Sequence, residues 1–287
     1  MDIFDNVDNF DKKQRVELMN VSPEQAISWL DNKNGYNRKV SQRHVDNIAR
    51  DIRAGNWRVT HMGIAFDKNG QLIDGQHRLW AIVLADMPVD IYVWFNVSHE
   101  TLQAVDRGRI RSISDVMNIS GVGCSVTDYK VAALKAMVAG IDCEMNQTAS
   151  ELSDLMQRHS KALSFAMDNL PAVFSARGVN TAITRGVVAR ATYCVAEIHL
   201  EEFCHKLTSG IITNPKESII VNIRKFLADN RSNTWEKRWE KYAKFQKVLY
   251  SWIMGKNPSR LMPADYEIFL LPEEVENNAT VDCTSGS

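Results

Sequence analysis

The sequence predicts an α+β protein in which a small mixed domain of strands and helices precedes an all-helical domain. Short strand-like and helix-like runs alternate up to the polar segment SGVGCSVTD, residues 120–128, and almost only helix-like segments follow it. The 287 residues, 45% of them hydrophobic, are enough to bury a substantial core. We therefore place the mixed domain at 13–120 and the helical domain at 121–272, between an acidic N-terminal tail at 1–12 and a disordered acidic tail at 273–287.

Helix-start and turn signals predict the first elements of the mixed domain. Ser22, followed by a proline, is typical of a helix N-terminus. Ser41 gives a second start, and the apolar residues after it recur at helical spacing until Gly55 ends the helix. Asn69-Gly70 lies between two short apolar runs, which is the strongest short signal for a β-hairpin.

Three further elements complete the mixed domain. A helix is expected after Gly75, because apolar residues again recur at helical spacing. The run VDIYVWFNV, residues 89–97, predicts a buried strand. The segment SHETLQAVDRG, residues 98–108, predicts one more capped helix.

The second domain is predicted from helical periodicity and one cap. Thr148 and Glu151 have the spacing of a capping box. The helices are expected at residues 127–140, 148–169, 180–208, 215–228 and 234–254. In the last of these, one stripe is expected in the core and another in water. The core stripe comprises Trp235, Trp239, Tyr242, Leu249 and Ile253, and the solvent stripe comprises Lys237, Lys241 and Lys244.

Composition argues for a cytoplasmic protein without a membrane partner. The N-terminus MDIFDNVDNFDKK is acidic where a signal peptide is basic, and no window reaches the roughly 18 apolar residues of a membrane span. The five cysteines are scattered and show no C-x-x-C spacing, so we expect reduced thiols and neither a disulfide framework nor a zinc site.

Charge is distributed unevenly along the chain. The net charge of −1 combines two tails, residues 1–11 and 273–287, that carry −4 each with a body that carries +7. Residues 206–260 alone hold twelve Lys or Arg against four acidic residues. A basic body suits a polyanion such as DNA, bound through the helices of 206–260, although a solvated lysine face would have the same composition.

The stretch LIDGQHRLWAI, residues 72–82, places polar residues where a predicted strand becomes a helix. The first turn of a helix offers unpaired N–H groups and the positive end of the helix dipole, which suit a phosphate. Gly75 would let the phosphate approach the backbone, and His77 and Arg78 would donate to its oxygens. Asp74 would bind Mg²⁺ or orient a nucleophile. A capped, solvent-exposed helix start explains the same residues, and the spacing does not choose between the two.

Residues 38–95 resemble the ParB/sulfiredoxin superfamily in the order of their signals. An Arg-containing approach leads to a V-x-x-I-A-x-x-I helix ending in glycine, then to a strand hairpin, and then to G-x-x-R opening a helix. ParB proteins have Gly-Glu-Arg-Arg at that point and sulfiredoxins have Gly-Cys-His-Arg, where this chain has Gly75-Gln76-His77-Arg78. The box, with DRGRIR at 106–111 after it, is also similar to phage and prophage ParB-like proteins.

The resemblance implies a nucleotide site, because the superfamily holds the phosphates of CTP, ATP or ADP at this box. It assigns phosphate or nucleotide roles to Arg38, Gly75, His77 and Arg78, and we expect Gln76 in the same site. Arg107 and Arg109, which flank a glycine in DRGRIRS at 106–112, would close over the nucleotide's phosphates or contact a DNA backbone. Gln76 stands where sulfiredoxins have their attacking cysteine, so repair of overoxidised peroxiredoxin is excluded. His77 replaces the first arginine of the ParB box. No helix-turn-helix follows the domain, so site-specific partitioning is not predicted.

Three functions stay open on these grounds. The leading hypothesis is binding of a nucleoside triphosphate, ATP or CTP, with Mg²⁺, followed by hydrolysis or phosphoryl transfer, in a phage-type protein of the host cytoplasm linked to DNA transactions. Its catalytic residues would be Asp74, His77 and Arg78, and Asp74 would also be the candidate Mg²⁺ ligand. The second is a DNA-associated regulatory protein whose box senses a ligand or is vestigial. The third is a ParB-like nuclease, with Asp74 and Asp106 as its only candidate metal carboxylates. A homodimer is compatible with all three.

Overall fold

The computed structural model describes residues 14–35, 37, 39–98, 112–119, 126–144, 146–171, 178–214 and 217–276, without the side chains of residues 116 and 119. The chain divides into two compact units, residues 1–110 and 111–287. Strands and helices alternate in the described part of the first unit, and the described part of the second is helical. The predicted α+β class, with a helical region after the mixed domain, is therefore confirmed. The division lies earlier in the chain than residue 120, where the change in sequence pattern placed it.

Four described strands form the sheet of the first unit, in the order β1–β4–β2–β3. They are β1 (Arg15–Val21), β2 (Ile64–Asp67), β3 (Leu72–Asp74) and β4 (Val89–Val97). β4 pairs antiparallel with β1 and parallel with β2, while β2 and β3 form the predicted hairpin. In its turn Gly70 has φ 72°, and the Asp67 carboxylate accepts the N–H groups of Asn69 and Gln71, both at 2.8 Å.

Three helices cover the core of the first unit: α1 (Pro23–Lys33), α2 (Gln42–Arg53) and α3 (Gln76–Ala85). Their buried residues join those of β2, β3 and β4 in one hydrophobic cluster. Within this cluster the Phe66 ring packs edge-on against the Trp29 ring, with centroids 5.1 Å apart, and it stacks on the Phe95 ring at a centroid distance of 5.9 Å. The predicted cap of α1 is present, since Ser22 Oγ accepts the Gln25 N–H at 3.3 Å. The predicted buried strand is β4, in which alternate residues from Val89 to Val97 are buried.

The sequence pattern does not predict β1. Its apolar residues Val16 and Leu18 are the exposed ones, at 43% and 56%, while Glu17 and Met19 on the other face are half-buried. A half-buried strand is recognised in a sequence when its apolar residues face the core, and the exposed apolar residues of β1 do not give that pattern. Pairing with β4 along its whole length, from Arg15 opposite Phe95 to Val21 opposite Val89, makes it a strand.

Eight α-helices of seven or more residues are described in the second unit, and residues 272–276 form a further short helix. The eight are α4 (Ile113–Ile119), α5 (Asp128–Ala139), α6 (Ala149–Arg158), α7 (Ser160–Asn169), α8 (Ala182–Ala191), α9 (Glu197–Ser209), α10 (Ser218–Asp229) and α11 (Trp235–Ile253). α8 lies at the centre, because every residue from Ile183 to Ala191 is buried. α5 lies close against it at Gly186, where a Cβ would come within 2.7 Å of the Met137 nitrogen. The predicted capping box of Thr148 and Glu151 is present.

Two of the predicted long helices are interrupted. The helix expected at 148–169 breaks at His159, between α6 and α7, and the helix expected at 180–208 breaks after Ala191, before α9 begins at Glu197. Neither break has a proline or glycine to mark it. The breaks contact each other, since His159 Nδ1 lies 2.9 Å from the Tyr193 hydroxyl and the two rings meet edge-on. The His159–Tyr193 contact therefore joins the two helix breaks. Because these residues are distant in sequence, no local pattern predicts the contact.

The surface prediction for α11 is partly wrong. Tyr242 and Leu249 are buried as predicted, but Trp235, expected in the core, is 57% exposed. Lys241, expected in water, is buried and donates through Nζ to the Ser232 carbonyl at 2.7 Å. Burial lowers the pKa of that ammonium group. The hydrogen bond to the Ser232 carbonyl makes burial of Lys241 tolerable, and the spacing of lysines along the helix does not predict this bond.

The acidic C-terminal segment begins inside the helical unit. Sequence composition placed its start at 273, but Glu273 lies 3.2 Å from the ring of buried His159, and Glu274 accepts the Leu271 N–H at 2.8 Å. Glu274 also pairs with buried Arg190. The unit therefore extends through at least residue 276. Among the helices described, none combines the length and apolar character needed to cross a membrane.

Candidate functional site

The DGQHR box lies where the sequence places it, between β3 and α3. Gly75 is the N-cap of α3 and has φ 100°, a left-handed conformation that favours glycine. A Cβ at this position would lie 3.0 Å from both Cα and Cγ1 of Ile64 in β2. The sequence predicts that the absence of a side chain at Gly75 leaves room for a ligand. In the structure, Ile64 of β2 lies against that position, so the glycine lets α3 pack closely on the sheet.

Arg78 and Asp74 lie together at the start of α3. The Arg78 Nη1 atom donates to the Gly63 carbonyl at 2.6 Å and lies 3.6 Å from Asp74 Oδ2. Asp74 Oδ1 accepts the Gly75 N–H at 2.7 Å. The Arg78 side chain is 18% exposed and that of Asp74 is 51% exposed. Arg78 is therefore held in one orientation beside solvent, and a carboxylate offsets part of its charge.

Gly63 makes this arrangement possible. A Cβ on Gly63 would lie 2.0 Å from the Tyr92 carbonyl oxygen, so its backbone runs directly against β4. The close approach fixes the Gly63 carbonyl that receives Arg78. Sequence reasoning missed Gly63, and the only local signal is a lone glycine just before a strand.

The N-termini of α2 and α3 meet at His77. The Ser41 N–H, at the N-cap of α2, donates to His77 Nε2 at 3.0 Å, and His77 lies in the first turn of α3. Because a backbone N–H can only donate, Nε2 carries no proton, and Nδ1 is the only ring donor of the neutral imidazole. The exposed His44, one turn into α2, meets His77 edge-on with ring centroids 5.2 Å apart.

Two helix N-termini side by side concentrate positive potential. Each contributes a partial positive charge and first-turn N–H groups that have no acceptor within their own helix. Ser41 was predicted only as the start of a helix, and its side chain makes no capping bond. His44 was not predicted at the site. Both could have been suspected from their one-turn spacing, but only the fold shows that α2 begins beside α3.

Of the other residues predicted to bind nucleotide or metal, one is buried and the rest lie outside the residues that the structure describes. Gln76 is 5% exposed, so only its backbone remains suited to the proposed ligand role. Arg38, Arg107, Arg109 and Asp106 lie outside the described residues. Among the described residues of the segment around Arg38, Asn37 donates to the Leu72 carbonyl at 2.7 Å and Ser41 donates to His77.

Asp74 is the residue available here for a divalent cation. No group of three or more His, Cys, Asp or Glu side chains suited to a metal is found among the residues described. Mg²⁺ in phosphate sites is often held by one or two carboxylates with water and the phosphates themselves. One half-exposed carboxylate beside a phosphate therefore fits Mg²⁺ with a nucleotide better than it fits an isolated metal centre.

The basic segment 206–260 uses several of its cations internally. Lys237 and Lys244 pair with Glu240 at 2.8 and 2.7 Å. Lys206 pairs with Glu202 and Glu217, and Arg224 donates to the backbone carbonyls of Leu207 and Thr208. The charge that this segment offers to an external polyanion is correspondingly smaller than its composition implies.

Comparison with known proteins adds no assignment. The chain matches no family model, and neither a curated protein nor a solved structure matches it.

Proposed function

We propose that the box binds the phosphates of a nucleoside triphosphate, ATP or CTP, with Mg²⁺, and that it catalyses hydrolysis or phosphoryl transfer. The observation that carries the proposal is the hydrogen bond from the Ser41 N–H to His77 Nε2, which joins the N-termini of α2 and α3. Helix N-termini bind phosphate through their N–H groups and dipole. Two together, with a guanidinium at their side, provide more positive potential than the single helix that the sequence predicts.

Each box residue has a distinct role in this proposal. First-turn N–H groups of α3 and the guanidinium of Arg78 bind phosphate oxygens and stabilise the charge that shifts during phosphoryl transfer. His77 donates through Nδ1, since Nε2 is occupied by Ser41. Asp74 is the candidate base and the candidate Mg²⁺ ligand. Bound Mg²⁺ would supply neutralisation of the phosphate charge.

The orientation of Arg78 supports a phosphate role over a purely capping one. A helix start that serves only as a cap needs no anchored arginine, yet the Arg78 side chain is only 18% exposed and its Nη1 donates to the Gly63 carbonyl. An anchored guanidinium loses little side-chain entropy when an anion arrives. Its remaining N–H groups are the donors that we assign to phosphate.

The test is titration of ATP, CTP, GTP and UTP, each with Mg²⁺, by calorimetry, with phosphate release followed in the same samples. Arg78→Gln should weaken binding at least tenfold and abolish release. Arg58→Gln is the matched control, because exposed Arg58 also donates to backbone carbonyls but lies beyond the C-terminal end of α2. Far-ultraviolet circular dichroism verifies that both variants fold.

The results separate the candidate functions. Failure of all four nucleotides to bind, or equal binding by Arg78→Gln and wild type, overturns the nucleotide site. Binding without release retains the site and overturns hydrolysis as its reaction. A protein that instead binds duplex DNA, with an affinity that falls steeply as salt rises and does not depend on Arg78, is the DNA-associated alternative.

A further inference from the structure

The helical unit contains a cavity of about 500 Å³. It lies between the first turn of α10, the C-terminal half of α11 and the segment 256–262, and its volume is in the range of small-molecule sites. Apolar side chains form much of its wall, namely Ile219, Val248, Leu261 and Met262. Three cations, Lys247, Lys256 and Arg260, line it as well.

Hydrogen bonds hold the walls of this cavity in place. Asn257 Oδ1 accepts the Ile219 N–H at 3.1 Å, which fastens the segment to α10. The Lys256 N–H donates to the Ser251 carbonyl at 2.8 Å, and the Ala264 N–H donates to the Ala243 carbonyl at 3.1 Å. The segment is thus tied to α10 and, near both of its ends, to α11. A cavity with fixed walls binds a ligand without first ordering a loop.

The charge of the cavity is one-sided. No carboxylate is among the described residues that line it, and within the described chain Lys247, Lys256 and Arg260 form no ion pair. Lys206 and Lys244, elsewhere in the same basic segment, are each paired with a glutamate. Three positive groups beside an apolar wall are complementary to a molecule with an anionic head and an apolar body.

The lining argues against a nucleic acid as the occupant. Proteins that bind single strands stack bases on aromatic side chains. The residues described around the cavity include no aromatic side chain. A duplex backbone would leave the apolar wall formed by Ile219 and Leu261 uncovered.

We propose that this cavity binds a small amphipathic organic anion, a carboxylate or a phosphate monoester with a hydrocarbon body. The head group lies against Lys256 and Arg260, and the hydrocarbon body lies against Ile219, Leu261 and Met262. A carboxylate and a phosphate monoester are both oxyanions, so the same cations can bind either head group. The cavity belongs to the helical unit, and the proposal does not rest on nucleotide binding at the DGQHR box.

The test uses decanoate, decyl phosphate, decanol and inorganic phosphate as calorimetric probes, below their aggregation concentrations, on the full-length protein. We expect decanoate or decyl phosphate to bind at least tenfold more tightly than decanol and inorganic phosphate. Comparison of the first two identifies the preferred head group. Absence of binding by both, or equal binding of decanol, overturns the proposal.

Two variants locate the site. The double substitution Lys256→Gln with Arg260→Gln should lower the affinity at least tenfold, and Leu261→Asp, which places a carboxylate on the apolar wall, should do the same. Lys225→Gln is the matched control, since Lys225 is exposed on α10 and does not line the cavity. Unchanged affinity in both site variants overturns the proposal. So does binding of a short DNA duplex that displaces the probe.

Discussion

The two units of the chain treat charge in opposite ways. Among the described residues of the α+β unit, Asp67 is the only charged residue that is buried. In the helical unit Lys130, His159, Arg185, Arg190 and Lys241 are buried. The geometry of the first unit depends on glycines that let backbones approach, at Gly63 and Gly75. Close backbone approach thus shapes the candidate site of the first unit. In the second unit, buried basic side chains link its segments by hydrogen bonds to carbonyl and hydroxyl oxygens and, at Arg190, to carboxylates.

The largest expected effect is the loss of Arg190. Its Nε donates to the Phe269 carbonyl at 2.7 Å and its Nη1 to the Met137 carbonyl at 2.6 Å, while Glu267 and Glu274 pair with it. Burial raises the pKa of the Glu267 carboxyl, and Arg190 opposes that rise. Arg190→Leu should lower the free energy of unfolding by about 3–5 kcal/mol, because it leaves the Glu267 carboxylate, only 13% exposed, without its charge partner and removes the donor to two backbone carbonyls. Urea unfolding followed by circular dichroism measures it.

Arg185 is the matched control for this prediction. It is buried like Arg190, but its guanidinium donates only to the Leu170 carbonyl, at 3.0 and 2.7 Å, among the contacts described. Arg185→Leu should cost about 1 kcal/mol, since one carbonyl loses its donors while an unpaired charge leaves the interior. Equal losses in the two variants would contradict the role of the glutamates.

Gly75→Ala is expected to destabilise the first unit. The alanine would adopt φ 100° and meet Ile64 at 3.0 Å, so we expect a loss of about 1–3 kcal/mol. Nucleotide binding should fall with it, because the first turn of α3 must shift. Thermal and urea unfolding measure the first effect, and calorimetry at a temperature where the variant is folded measures the second.

Gly55→Ala is the control that separates the cost of a positive φ from the cost of the contact with Ile64. Gly55 also has a positive φ, 72°, but nothing lies within 4 Å of a Cβ there. Its substitution should cost about 1 kcal/mol, the backbone penalty alone. A Gly75→Ala loss no larger than that of Gly55→Ala would show that α3 packs less tightly on β2 than the 3.0 Å approach indicates.

His159 makes the stability of the helical unit depend on pH. Burial lowers its pKa from the ordinary 6.5, with Glu273 opposing the change. The folded state therefore favours neutral His159, and the unfolded state binds the proton more readily as pH falls through 6.5. Stability is complete above that value and declines below it, by about 1.4 kcal/mol for each pKa unit between the two states.

The measurement is the free energy of unfolding between pH 7.5 and 5.5 for wild type and His159→Gln. Glutamine can still reach Tyr193 or Glu273 but takes up no proton, so the variant should show a smaller decline. The difference between the two curves isolates His159 from the other histidines. A wild type that gains stability toward pH 5.5 relative to the variant would mean that the Glu273 contact outweighs burial.

Local signals predicted much of the α+β unit. The Ser22 cap, the Asn69-Gly70 turn and the alternation of β4 each depend on a few neighbouring residues, and all three are present. β1 could not be predicted, because it is a strand through its pairing with β4, roughly 70–80 positions later in the chain. The break at His159 escaped for the same reason, since its partner Tyr193 lies on another segment.

The candidate site was predictable in position and not in detail. The sequence locates the DGQHR box at a helix start, as found. It cannot show that Gly63 receives Arg78, that Gln76 is buried, or that α2 begins beside His77. These features depend on which elements lie next to each other. The sequence shows which chemical groups the box contains, and the fold determines which of their atoms are exposed to a ligand and which are already hydrogen-bonded or buried.

The smallest stability effect is expected at Ser41, where it separates capping from ligand binding. Ser22→Ala should cost about 1 kcal/mol, because Ser22 Oγ accepts an N–H of α1. Ser41 Oγ makes no such bond, so Ser41→Ala should cost less than about 0.5 kcal/mol. If Ser41 contributes its hydroxyl to phosphate, the same substitution should weaken nucleotide binding about tenfold, since hydrogen bonds to charged groups contribute roughly 1.5–3 kcal/mol. Equal nucleotide affinity in Ser41→Ala and wild type would leave only the backbone of α2 in the site.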